Sequence, residues 1–294
     1  MTAHAQAGAA SPGGQPSAFM TILKRLKANP LSLVGAAIVV VFVAMAVFAP
    51  WIATHDPAAQ SLREKLQPPS KDHWFGTDDL GRDLFSRIVY GARVSLQIGA
   101  SSVLIALVVG SGLGLIGGYY GGRIDAAIVM LIDILLAFPG VLLAIAIIAI
   151  LGPGLENAAI AIGIYSIPQF ARVMRGSVIA IRNSLYVEAA RAVGVGDLRI
   201  MLVHILPNVV APLIVLSTLR MATAILSAAT LSFLGLGAQP PTPEWGSMLS
   251  RARTHMMLAP YLMIFPGVSL LLVILGFNLF GDALRDALDP RMKN

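Results

Sequence analysis

Asn183-Ser184-Leu185-Tyr186-Val187-Glu188-Ala189-Ala190-Arg191-Ala192-Val193-Gly194 is a polar, helix-forming stretch between two long apolar runs. Ser184 is placed to cap the first amides of a helix, and Gly194 can take the left-handed conformation that stops one. Asp197 then stands as a second N-cap, opening a helical run from Leu198 to Leu206 that leads to Pro207. The spacing predicts a helix-turn-helix elbow within a loop over residues 182–205.

Working outward, the surroundings of this elbow are apolar enough to make the bilayer the first solvent to consider. The 294 residues are 56% hydrophobic and 12% charged, with a mean hydropathy of +0.78. Crossing a hydrocarbon core takes roughly 20 mostly apolar residues. Six segments meet that condition, near 31–52, 94–117, 125–151, 157–175, 206–234 and 260–281, so an all-α polytopic protein with six transmembrane helices is expected. Pro139, Pro168, Pro212 and Pro266 interrupt the spans, which suits a packed bundle with a pathway through it. Small residues crowd the second span (Gly99, Ser101, Ser102, Gly110, Gly112, Gly114) and place it at the centre of helix packing.

Residues 1–20, rich in Ala, Gly, Ser and Pro, read as a disordered tail, and 21–294 as one transmembrane domain. Lys24, Arg25 and Lys27 precede a run too long for a signal peptide's core, which predicts a retained anchor. With those charges inside, Arg182, Arg191 and Arg199 also fall inside, and both termini face the cytoplasm. Residues 53–93 then form an extracytoplasmic loop, where acidic residues including Asp78, Asp79 and Asp83 balance the arginines, as Glu244 does in the outside loop between the fifth and sixth spans.

Several function classes drop out. There is no cysteine, hence no disulfide or thiolate chemistry, and the net charge of +6 is too scattered for a nucleic-acid face. His55, His73 and His255 stand apart without ligand spacing and His4 lies in the tail, so no metal centre is expected. No histidine/carboxylate cluster or serine nucleophile suggests a membrane enzyme, so no catalytic residue is assigned. No phosphate-cradling Gly-x-x-x-x-Gly-Lys-Ser/Thr loop is present. Asp133 and Arg220 fall within predicted spans, where a charge is expensive. They are candidates for lining or gating a pathway, against the alternative of pairing with backbone, with each other or with a second subunit. Arg172 and Arg175 can snorkel to the headgroups, and Trp51, Trp74 and Trp245 read as interfacial anchors.

The elbow resembles the cytoplasmic loop of the inner-membrane permeases of binding-protein-dependent ABC importers. That loop carries Glu-Ala-Ala, three residues, Gly, nine residues, then Ile-x-Leu-Pro; Glu188-Ala189-Ala190, Gly194, Leu206 and Pro207 fall at those spacings, with His204 in the isoleucine position. Two further stretches are similar to the dipeptide, oligopeptide and nickel branch of that family. One is Phe75-Gly76-Thr77-Asp78-Asp79-Leu80-Gly81-Arg82-Asp83-Leu84, whose Asp/Arg alternation could order the loop as an ion-pair network. The other runs from Leu231-Ser232-Phe233-Leu234-Gly235 through Pro243-Glu244-Trp245-Gly246, and Phe277 to Arg291 resembles the closing segment.

The resemblance implies a type I ABC importer permease fold in the cytoplasmic (inner) membrane. Glu188, Ala189 and Ala190 would dock on an ATPase subunit, and no cofactor would sit on this chain, with ATP and Mg on the partners. Implied partners are a second homologous, non-identical permease, two ATP-binding subunits, an extracytoplasmic substrate-binding protein, membrane lipid and a short peptide cargo. Nickel or glutathione are the alternative cargoes. A secondary transporter working without ATP, using Asp133 for ion coupling, is the reading from another class, and it leaves the elbow unexplained.

Overall fold

The computed structural model describes residues 29–288, and among them the chain is helical, with a single isolated antiparallel bridge between Thr77 and Asp83. The tail over 1–20, the basic cluster Lys24, Arg25 and Lys27, and the closing Asp289 to Arg291 lie outside the described residues. In chain order the helices are α1 (Pro30–Val47), α2 (Ala49–Ile52), α3 (Leu84–Tyr120), α4 (Gly122–Leu136), α5 (Gly140–Leu151), α6 (Leu155–Ile181), α7 (Leu185–Ala192), α8 (Asp197–Phe233), α9 (Trp245–Ala252) and α10 (Tyr261–Leu288).

Four of them, α1, α3, α8 and α10, are long and apolar enough to cross a membrane, and the α4–α5 pair makes a fifth if taken as one span. That pair differs from the single straight span expected over 125–151: it bends by 89° at Ala137-Phe138-Pro139. Pro139 has no N–H to donate and disfavours helical backbone at Phe138, and the chain breaks there, whereas Pro168, Pro212 and Pro266, also expected to interrupt spans, lie inside continuous helices. The segment expected over 157–175 is longer, the 27-residue α6, but Glu156, Asn157, Gln169 and Arg172 keep it below the hydropathy of the others.

The centre of the bundle is the α3–α6 seam. A Cβ at Gly110 would come within 2.7 Å of the Ile167 carbonyl oxygen and of Phe170 Cβ, one at Gly114 would strike the Ala171 carbonyl, and one at Gly118 would meet Val178 Cβ at 2.8 Å. These three glycines, one helical turn apart, let two backbones touch where any side chain would hold them off. Gly112 lies off this stripe and faces open space, an apolar cavity of about 570 Å³ between α3, α6 and α8. A second core joins α1, α10 and the start of α3 around Trp245. Trp245 is fully buried, donates its indole N–H to the Ile88 carbonyl at 3.2 Å and meets Phe42 edge to face, so it plugs the core and is no interfacial anchor. Trp51 and Trp74 are exposed.

Candidate functional site

α3 has 37 residues and spans about 55 Å, so it separates two clusters of candidate residues, the elbow at its C-terminal end and a cap at its N-terminal end.

At the elbow, α7 ends as the residue pattern predicts. Gly194 has φ +81°, its N–H donates to the Arg191 carbonyl at 3.0 Å, and the Val195 N–H donates to the Ala190 carbonyl at 3.0 Å. This pair of bonds closes the helix and reverses the chain. The start of α7 differs from expectation: Ser184 holds the N-cap position, but its hydroxyl donates back to the Ile181 carbonyl at 2.7 Å and leaves the amides to its own backbone carbonyl.

Asp197 is also not the second N-cap. It is the first residue of α8, and its carboxylate accepts a 2.6 Å hydrogen bond from the Tyr119 hydroxyl at the end of α3. The Arg191 guanidinium lies 5.1 Å over the same tyrosine ring. One aromatic residue thus ties both arms of the elbow to the bundle. The second arm is no separate helix: residues Ile200–Ile205 form a π turn that runs straight into the transmembrane part of α8, with Leu206 N–H bonded to the Met201 carbonyl. The wider turn comes just before Pro207, whose ring would otherwise press on the carbonyl four residues back. His204 and Leu206 are half-buried there and Pro207 is exposed.

The docking residues divide. Glu188 and Ala189 face outward, whereas Ala190 is buried with Val187 against the bundle core and so cannot face a partner. Four exposed apolar side chains that residue typing passed over, Leu185, Tyr186, Val193 and Leu198, flank them.

Of the two in-span charges, Asp133 has an ionic partner, and it is not Arg220. Asp133 accepts from Arg172 at 2.9 Å with both side chains more than half exposed, so Arg172 is engaged by an acid. Arg175 grips Asp125 with two nitrogens at 2.5 and 2.6 Å, pinning α6 to the start of α4. Among the described residues no carboxylate lies within ion-pair distance of Arg220.

The cap, residues 53–83, is ordered by buried charge. Asp78 accepts from Leu80 and Arg82 amides and pairs with Arg82 at 2.6 Å and with Arg87 at 3.5 Å. Thr77 bonds the Glu64 carbonyl and accepts from the Gln67 N–H, and Gly81, at φ +70°, lies where a Cβ would strike Ser61. Gly76, Thr77, Asp78, Gly81, Arg82 and Asp83 are all buried. Asp83 caps α3 by accepting from the Ser86 N–H at 2.8 Å. Burial alone would raise its carboxyl pKa, but the Ser86 amide and hydroxyl, His73 and the His55 charge outweigh it and hold it below the usual value. His55 and His73, 18 residues apart in sequence, lie beside it with ring centres 4.8 Å apart and planes tilted by 34°.

Glu244 is not the surface counter-charge expected. It is fully buried and caps α9, accepting from the Gly246 N–H at 2.9 Å and the Ser247 N–H at 2.8 Å. Burial pushes its pKa up in spite of those amides and the neighbouring Ser232 and Ser95 hydroxyls.

Residues 110–294 match the binding-protein-dependent transport system inner membrane component family, and residues 17–69 match the N-terminal TM domain of oligopeptide transport permease C. The chain is 54% identical to the dipeptide transport system permease protein DppC of Alkalihalophilus pseudofirmus over 95% of its own length and 91% of that protein's. It is 48% identical to the glutathione transport system permease protein GsiD of Escherichia coli O6:K15:H31, covering 92% and 89%. In fold it is similar to a chain of the MetNI methionine ABC transporter in an inward-facing conformation, with a TM-score of 0.56 and 19% identity over 69% of this chain and 97% of that one. The chain therefore belongs to the binding-protein-dependent transport system inner membrane components, the ABC importer permeases, in their dipeptide, oligopeptide and nickel branch.

Proposed function

We propose that this permease forms half of a translocation pathway for short peptides across the cytoplasmic membrane, driven by ATP hydrolysis on partner subunits. The observation that carries the reading is the elbow. A short helix with exposed Glu188 and Ala189 and a rim of exposed apolar side chains is braced to the bundle by Tyr119, which suits a surface pushed by another protein. Two ATP-binding subunits, a second homologous permease and a substrate-binding protein at the cap end complete the assembly in this reading. Both termini and the 182–205 loop face the cytoplasm, and 53–93 faces outward. The spans number six, with α6 as a bundle-buried crossing that needs less apolar surface because helices cover it. The peptide cargo rests on the resemblance to the dipeptide permease; the similarity to the glutathione permease makes glutathione the second reading, with nickel behind it. The Asp133–Arg172 pair weighs against a secondary transporter using a free Asp133 as its ion site.

The test is uptake of a defined mixture of di- to hexapeptides, glutathione and nickel by cells lacking this chain and by complemented cells, followed by mass spectrometry. Selective loss of peptide uptake is the expected result. Loss of glutathione or nickel alone would move the cargo within the branch, and energised uptake persisting without the ATP-binding subunits would overturn the mechanism.

A further inference from the structure

The structure assigns a second property to the cap: we infer that His55, His73 and Asp83 form a binding site for a late first-row divalent metal ion of the zinc class. One nitrogen of each ring and one Asp83 carboxylate oxygen all lie within 4.8 Å of one another. The residues come from three separate segments: His55 follows α2, His73 sits in the loop, and Asp83 precedes α3.

The two oxygens of Asp83 have separate tasks. Oδ2 accepts from the Ser86 N–H and caps α3, while Oδ1 faces Nδ1 of His73 at 2.9 Å and Nδ1 of His55 at 3.8 Å. A structural His–Asp hydrogen bond needs one imidazole. The second is held near the same oxygen by its backbone N–H on the Ser86 hydroxyl at 3.0 Å, and its Nδ1, 3.8 Å from that oxygen, shares a 3.0 Å hydrogen bond with the Thr54 hydroxyl that a metal would displace. Arg82 and Arg87, the nearby cations, are engaged by Asp78 and leave Asp83 to the histidines. Two imidazoles and a carboxylate are a donor set for zinc, copper or nickel more than for calcium or magnesium. Metal–ligand bonds of about 2.0–2.1 Å put tetrahedral ligands about 3.3 Å apart, which small side-chain rotations reach from the present spacing. The metal would replace the proton shared by His73 and Asp83. On the far side of the His73 ring, Nε2 lies 4.0 Å from a Glu64 carboxylate oxygen, the placement of a second carboxylate that orients a ligating histidine. Side-chain exposure rises from 1% at Asp83 through 10% at His73 to 42% at His55, so the site has a buried floor and an open side. Bound metal would clip the three segments into one unit.

The test uses the full-length chain in lipid nanodiscs, carrying a tag without histidine and stripped with chelator, then titrated with Zn²⁺ by calorimetry and with Co²⁺ by visible absorption. The expected result is one metal per chain, with a cobalt ligand-field band. His55→Gln and His73→Gln should each weaken binding at least ten-fold, and Glu64→Gln about ten-fold. His255→Gln should change nothing. Isotherms of both ligand variants that overlay the parent, or no binding by the parent at micromolar metal, would overturn the site. His55 is exposed enough to be replaced without disturbing the fold, so it decides the matter if His73→Gln fails to assemble.

Discussion

At the scale of single residues, Gly194 and Glu244 make opposite cases. Nothing lies within 4 Å of a Cβ built on Gly194, so its role is its φ of +81°. Gly194→Ala should therefore weaken the elbow by about 1–2 kcal/mol and lower ATP-coupled uptake, while Gly194→Asn, which tolerates the left-handed region, stays close to the parent. Equal loss in both, measured by uptake at matched membrane levels, would place the importance in bulk. Glu244 is governed by burial. Its folded pKa is raised above the ordinary 4.5, so its favourable contribution is complete below that value and is lost as pH rises through the folded one. Glu244→Gln should flatten the fall in melting temperature above pH 4.5 in thermal scans. Asp83 has the reverse sign, its contribution being lost on acidification below the ordinary 3.8. The glycine stop was legible because residue type and spacing state it. The burial of Glu244 was not, because a glutamate ahead of Trp-Gly reads equally well as a surface charge until α9 is packed.

At the scale of elements, what local pattern can declare is a break, and what it cannot declare is a partner. Pro139 announced an interruption, yet the 89° turn depends on how α5 lies against α6. Asp197 has the look of a cap, but its carboxylate goes to Tyr119, in a helix that ended far earlier in the chain. The glycine stripe of α3 was readable as packing, with Gly112 set apart only by knowing which face meets α6. Two outcomes follow from these contacts. Tyr119→Phe keeps the ring under Arg191 but removes the bond to Asp197, and hydrogen exchange in 185–199 should rise by about five- to ten-fold, the loss of roughly 1 kcal/mol. Gly114→Val places a side chain against the Ala171 backbone and should abolish the folded chain in detergent extracts; a normal yield would mean the seam can part.

At the scale of the whole molecule, the helical class and the succession of apolar segments were plain from composition, whereas the convergence of His55 and His73 was invisible. Their rings meet in a cap whose fold also holds the buried Asp78–Arg82 pair, a long-range arrangement that local pattern does not state. The two-ended arrangement also sets a topological expectation: a cysteine probe at Ala192 should label from the cytoplasm alone and one at Ser70 from outside alone. Both labelling from the same side of sealed vesicles would refute the proposed orientation.

The length of α3 has a mechanical consequence. It is one uninterrupted helix, tied at Tyr119 to the elbow and through Asp83 and His73 to the cap, so in the proposed transport cycle it would act as a lever arm. A tilt of about 5° about its elbow end would sweep the other end through about 5 Å, close to the pitch of one helical turn. In that cycle a small push at one face would reach the other as a displacement large enough to re-register side chains, without any signal passing through loops.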